Sequence, residues 1–288
     1  MKKTFIKTYP ALVSVVLLLA TLACEKDVIL DLADSQGKYI IVDANITNNG
    51  NRQWINLFNS SSYYDATRGL PVTNASVTIQ TDSESFQFQH STIDSLKGYY
   101  YNDKISRELI AGDYQLIIET PDELITGRSL LRPVPVLDSV TIKINPFSQL
   151  GFFDDTIYDI FAHFRFLQQP DDFFLFNLFI NDSLATPRPS DKSIIPAESL
   201  EEYVSLAIFN FNKNNFNKGD TISMEIRSIS EENFEFYNVF FFQTDLSGNP
   251  FAGAPPANIP TNLSQGARGF FQVSSVNNQS VIYNGLDW

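Results

Sequence analysis

Cysteine, histidine and surplus positive charge are all scarce in this chain. Cys24 is the only cysteine, and His90 and His163 are the only histidines. One thiol excludes an intramolecular disulfide framework and the paired cysteines of a structural zinc site. No H-E-x-x-H and no G-x-S-x-G run occurs, so the local signatures of a zinc hydrolase or a nucleophile elbow are missing. Each histidine sits in an alternating, strand-like segment and is expected to be a satisfied strand residue. Twenty basic residues stand against 33 acidic ones, a net charge of -13. That balance argues against nucleic acid and against attraction to anionic headgroups. Long helical periodicity is scarce, and the apolar run Ala11 to Ala20 is too short to cross a bilayer comfortably.

What stands at the start is a leader. Lys2, Lys3 and Lys7 make a cationic region, the apolar run follows, and Leu22-Ala23-Cys24 closes it. This order predicts a signal peptide over residues 1–23 rather than a membrane helix. A lone cysteine at that point resembles a bacterial lipobox, with Thr21 where the usual Leu would stand and Leu22 one place later. The resemblance implies that Cys24 is lipidated (diacylglyceryl on sulfur, palmitate-type acylation on the new amine) and becomes the first mature residue. Several buried acyl chains, at about 0.8 kcal/mol per CH₂, hold a protein on a membrane. Removing residues 1–23 takes three lysines and no acid, leaving -16. Residues 24–36 then form an acidic tether, and Glu25, Lys26 and Asp27 resemble the surface-export signal of Bacteroidota lipoproteins.

The body reads as mainly β. Phe (25) and Tyr (12) are abundant, and aromatic and β-branched residues favour strands. Short alternating segments with turn signals between them predict an N-terminal β-sandwich over 37–132. Its strands run through Tyr39–Thr47, Trp54–Phe58, Asn74–Ile79, Ser85–His90, Gly98–Tyr100 and Ala111–Ile118. Two alternating prolines, Pro133 and Pro135, mark an extended connector. A second β-rich domain is expected over 133–288, with strands at Asp138–Ile144, Tyr158–Leu167 and Phe173–Ile180. The last two are so rich in Phe that both faces must be covered. Proline and charge between Ala185 and Pro196 predict a loop. One prominent α-helix is expected near 230–246: Ser230 is a plausible N-cap, Glu231 and Glu232 suit the first turn, and Gly248-Asn249-Pro250 stops it. Its stripe of Phe234, Tyr237 and Phe241 is expected to pack on the sheet.

No catalytic residue, metal ligand or cofactor site is predicted. The adjacent acids Asp154-Asp155, Asp171-Asp172 and Glu201-Glu202 lack the cross-cleft geometry of glycoside hydrolysis and the alternate spacing of a calcium loop. Two Phe-bearing loops, with Phe152 and Phe153 in one and Phe211 and Phe216 in the other, suit contact with a sugar or a protein partner if exposed. The competing expectation is that these rings fold into the second core. Five Asp-hydroxyl-aliphatic triplets, at Ser95, Ser139, Thr156, Ser183 and Thr221, resemble the O-glycosylation sequon of Bacteroidota exported proteins. The same triplet also marks a turn entering a strand.

The closing run joins Asn249-Pro250-Phe251-Ala252 to Asn258-Ile259-Pro260-Thr261-Asn262-Leu263 and Gly266-Ala267-Arg268-Gly269-Phe270-Phe271. With the lipobox and the Ala75-Ser76-Val77 and Gly112-Asp113-Tyr114 strands, it resembles the domain-of-unknown-function 4249 family of Bacteroidota outer-membrane lipoproteins. The resemblance implies an Ig-like/transthyretin-like (carboxypeptidase-regulatory-like) β-sandwich over 37–132, an outer-membrane, surface-exposed address and association with a TonB-dependent receptor, and it carries over no catalytic residues. The expectation is a non-enzymatic accessory or ligand-capturing subunit of a TonB-dependent uptake system. The alternatives are a stand-alone glycan- or peptide-binding adhesin and a structural envelope lipoprotein.

Overall fold

The computed structural model describes residues 39–50, 52–61, 69–150, 155–165, 172–245, 259–264 and 266–285. Alternation builds the first half. In β4 (Ser85–His90) Phe86 and Phe88 are buried while Ser85, Gln87 and Gln89 face water, and in β6 (Gly112–Glu119) Tyr114, Leu116 and Ile118 turn inward. Period-two burial of this kind commits one face of each strand to a core. The same rule runs through β1 (Ile40–Thr47), β2 (Gln53–Asn59), β3 (Ser76–Gln80), β5 (Tyr99–Asn102) and β7 (Leu124–Leu131). Each fully buried Ile, Leu or Phe there contributes roughly 1.5–3 kcal/mol.

An eighth strand comes from the far end of the chain. β15 (Ala267–Ser274) runs parallel to β1, with Ile40 beside Ala267 and Thr47 beside Ser274. The sheet order is β15-β1-β2-β5-β4-β3-β6-β7, and the sheet curls until its two end strands meet. Ser129 Oγ of β7 accepts from the Val273 N–H of β15 at 2.9 Å, and Gly127 bridges to Leu263. The fold is thus a curled β-sandwich around one core, closed by residues 259–274. The body expected over 133–288 cedes this strand to the first, because β1 would otherwise present an unpaired edge.

The closure depends on two small features of the 259–274 run. Gly269 has φ +100°, and a Cβ there would meet the Val42 carbonyl oxygen at 2.0 Å. Only glycine allows β15 to approach β1 so closely. Asn262 acts as a clip: its Nδ2 donates to the carbonyls of Arg128 (2.7 Å) and Phe271 (2.6 Å), and its Oδ1 accepts from the Phe271 N–H at 3.0 Å.

After the extended link at residues 132–136, β8 (Leu137–Ile144), β9 (Ile157–Arg165) and β13 (Tyr203–Asn212) form a three-stranded sheet. It faces a five-stranded sheet of β10 (Phe173–Ile180), β11 (Ser183–Leu184), β12 (Ser193–Pro196), β14 (Thr221–Ile229) and β16 (Val276–Ile282). The second core lies between them, with Tyr158, Phe164, Phe174, Phe176, Phe209 and Ile226 among its buried members. β10 is covered on both faces as its composition required: Phe174, Phe176 and Leu178 point into this core, while Leu175 and Asn177 on the other face are also buried. Part of the expected loop before Pro196 is strand β12, which pairs its Ile194 and Ile195 with Leu175 and Phe174 and so covers an edge of β10.

The long helix spans Glu231–Asp245. Ser230 caps it, its Oγ accepting from the Asn233 N–H at 3.2 Å. The helix lies outside both cores: Phe234 packs on Phe173 of β10 at 4.9 Å and Phe236 on Phe270 of β15 at 5.2 Å. The expected stripe is therefore only partly right. Phe234 and Tyr237 are half-buried, but Phe241 is 38% exposed, because the helix has apolar residues around most of its circumference and touches two separate surfaces. Among the described residues, no helix is long and apolar enough to cross a membrane.

Candidate functional site

The two sandwiches meet where β15 passes into β16. Ser228 holds that crossover, its N–H donating to the Ser275 carbonyl (3.0 Å) and its Oγ accepting from the Ser275 N–H (3.1 Å). The β1–β2 turn leans on the same place, with Asn48 Oδ1 accepting from the Val276 N–H at 2.8 Å.

At this junction lies a buried polar network. Glu225 of β14 is 3% exposed. Its Oε1 accepts from Asn177 Nδ2 (2.8 Å) and Arg227 Nε (2.6 Å), and its Oε2 lies 3.5 Å from Asn49 Nδ2. Asn177 continues the chain, its Oδ1 accepting from Lys192 Nζ at 2.6 Å, and the same ammonium donates to the Thr186 carbonyl at 3.2 Å. Burial pushes the Lys192 amine down to about 8, with the positive Arg227 adding to the shift and Glu225 and Asp191 opposing it. A buried charge needs such partners, since desolvation alone disfavours its ionised form.

A cleft opens on each side of this network. The smaller, about 370 Å³, is polar and is walled by Asn49, Glu225, Asn278, Gln279 and Ser280, with one ring from Phe179. The larger, about 580 Å³, lies between the long helix and the outer face of β1 and β15. Phe236, Tyr237 and Phe240 line it from the helix and Phe270 from β15, while Lys192, Arg268 and Asp43 supply the charge. The parallel register sets Ile41 beside Arg268 and Asp43 beside Phe270, which is why charge and ring alternate along that wall. Burial raises the Tyr237 phenol above its ordinary range, with Arg227 opposing and Asp43 assisting.

The predicted site residues fall elsewhere. Cys24, Glu25, Lys26, Asp27, Phe152 and Phe153 lie outside the described residues. Phe216 is buried in the second core at 6% exposure, and Phe211 packs beside it at 5.8 Å. Those two rings fold inward, so the expected contact surface at Phe211 and Phe216 is corrected to core packing. Ser95, Ser139 and Ser183 are exposed, while Thr156 and Thr221 are half-buried. Two of the preceding aspartates act in turns: Asp182 has φ +64°, and Asp220 accepts from Asn181 Nδ2 (2.8 Å) and the Asn217 N–H (2.7 Å). His90 Nε2 accepts from the Gly98 N–H, and His163 Nε2 pairs with Thr141 Oγ1 at 2.7 Å. Among the described residues, no group of three or more His, Cys, Asp or Glu side chains could hold a metal ion.

Lys192 escaped sequence reading because proline and charge made its segment look like loop. The available signal was a lone lysine, separated only by Ser193 from the apolar pair Ile194-Ile195. Glu225 was marked only by its place in the alternation of Ser223-Met224-Glu225-Ile226, on a strand buried on both faces.

These features define a two-sandwich β protein with a long external helix and ligand-sized clefts at the sandwich junction. The chain belongs to the DUF4249 family, a domain of unknown function whose family model matches residues 25–280. No curated protein matches it. Among solved structures, it is similar to the FN1–FN3 domains of chicken CNTN1, at 11% identity over 66% of this chain and 57% of that one, with a TM-score of 0.25. A cytokine receptor complex is similar at 6% identity over 86% of this chain and 97% of that one, with a TM-score of 0.26.

Proposed function

We propose that the protein is an outer-membrane lipoprotein, tethered through Cys24 and exposed at the cell surface, that captures a ligand for a TonB-dependent uptake system without catalysing a reaction. The observation that supports ligand capture is the 580 Å³ cleft, which has several aromatic rings and few charged groups. That combination matches the usual volume of small-molecule sites, roughly 300–1,000 Å³, and their mostly apolar walls. Lipid at Cys24 and the acidic tether over residues 24–36 supply attachment and reach. The test is a mild-detergent pull-down of the lipidated chain from its own host, with co-purifying proteins identified by mass spectrometry. A stoichiometric large β-barrel is expected, and recovery of the chain alone would sink the transporter role.

One observation favours a stand-alone glycan-binding adhesin as the second reading. The 370 Å³ cleft carries amide, hydroxyl and carboxylate groups beside Phe179, a set that suits the hydroxyls and apolar face of a sugar. A glycan array with the isolated chain decides it.

A further inference from the structure

The larger cleft has an electrostatic character at odds with the rest of the chain. The whole sequence is strongly acidic, yet Lys192 and Arg268 both line this cleft, with Asp43 as the one acidic residue on its wall. Asp43 is held by a hydrogen bond from Asn45 Nδ2 at 2.9 Å. Neither cation has a carboxylate partner within ion-pair distance among the described residues. Arg268 donates from Nη1 to the Ala267 carbonyl and lies over the Tyr39 ring at 4.3 Å. Lys192 spends two N–H donors on neutral oxygens, those of Asn177 and Thr186, and keeps a third without an acceptor among the described residues. The nearest buried carboxylate, Glu225, is already engaged by Arg227 and Asn177. Glu225 and Asp191 favour the charge on Lys192 without pairing with it. An ammonium removed from water without a direct counter-ion is costly, and an anion arriving in the cleft would relieve that cost. The remaining wall is mostly apolar and includes Phe236, Phe240 and Phe270.

Building on the ligand-capture reading, we propose that this cleft binds an organic carboxylate with an apolar, ring-sized body. The carboxylate pairs with Lys192, with Arg268 as the second cation of the cleft, and the body lies against Phe236, Phe240 and Phe270. Charge complementarity singles out an acid over its neutral analogues. A charge-assisted hydrogen bond of about 1.5–3 kcal/mol corresponds to a preference of about tenfold or more.

The test is isothermal titration of the detergent-solubilised full chain with 4-phenylbutyrate and with its uncharged amide, 4-phenylbutyramide. The acid is expected to bind about tenfold more tightly than the amide. Lys192→Met should bring the acid to the level of the amide and leave the amide unchanged, whereas Phe236→Ala should weaken both alike. Circular dichroism establishes that each variant is folded. If Lys192→Met does not fold, Arg268→Gln provides the same comparison and should also reduce the preference for the acid. Equal binding of acid and amide, no binding of either up to about 10 mM, or an acid preference that survives both cation variants would overturn the proposal. These outcomes are independent of the pull-down. A β-barrel partner with no acid preference sinks only the carboxylate site, and acid binding without a β-barrel sinks only the uptake role.

Discussion

Single side chains carry the closure of this fold. Asn262 ties β15 to β7 with three hydrogen bonds to backbone groups. Asn262→Ala leaves those groups unpaired and should cost about 2 kcal/mol, read as a lower midpoint in urea with an unchanged slope. Gly269→Ala should be worse, because it combines a positive φ with a clash on the Val42 carbonyl, and failure to reach a cooperative transition is the expected result. Lys192 gives a test by pH. Its folded value of about 8 lies below the free value of 10.5, so between these limits the unfolded chain binds more protons and stability rises with pH. Between pH 8 and 10 the wild type should gain of the order of 2 kcal/mol relative to Lys192→Met, measured by urea unfolding of both. Above pH 10 the trend opposes this, since Tyr158 is pushed up to about 12 by burial and by its hydrogen bond with Tyr283, and folding resists its ionisation.

At the scale of elements, the sequence was legible wherever local chemistry decided the outcome. Alternation revealed β4 and β6, and the Ser230 cap with its acidic turn revealed the helix almost to the residue. Ser230→Ala should cost about 1 kcal/mol, a loss visible in thermal unfolding. What local chemistry did not decide stayed hidden. The placement of Phe211 and Phe216 depends on which surfaces fold over them, and their Asn-rich context resembles an exposed loop as much as a core edge. β12 exists because an edge of β10 must be covered, a requirement invisible within Ser193–Pro196 itself. The larger cleft is assembled from β1, β15, the helix and the Lys192 segment. No window of sequence contains more than a fraction of it, so the site was the least legible part of the chain.

Across the whole molecule, the described part of the Asn249 to Phe271 run that carries the family resemblance, residues 259–264 and 266–271, has a structural explanation. It contains Thr261, Asn262, Gly269 and Phe271, the residues that close the first sandwich. Arg268 and Phe270 alternate with the closing residues and face the cleft, so closure and cleft are built on one strand. A chain ending at residue 258 should therefore lose both sandwiches together, since β15 and β16 leave the two sheets at once. Limited proteolysis of the truncated and full chains provides the check, and a protease-resistant fragment covering residues 37–132 in the truncated chain would contradict it.

The parallel pairing of β1 with β15 also sets an order of events. A chain made from its N-terminus offers Ile40–Thr47 long before the partner of that strand, Ala267–Ser274. Contacts so distant along a chain form slowly, because most of the loop must be closed before they repay the lost freedom. Until β15 is made, the first sandwich is therefore unfinished, with an open edge at β1. Closure is timed by the arrival of β15, and any factor that guards the open edge must remain until then.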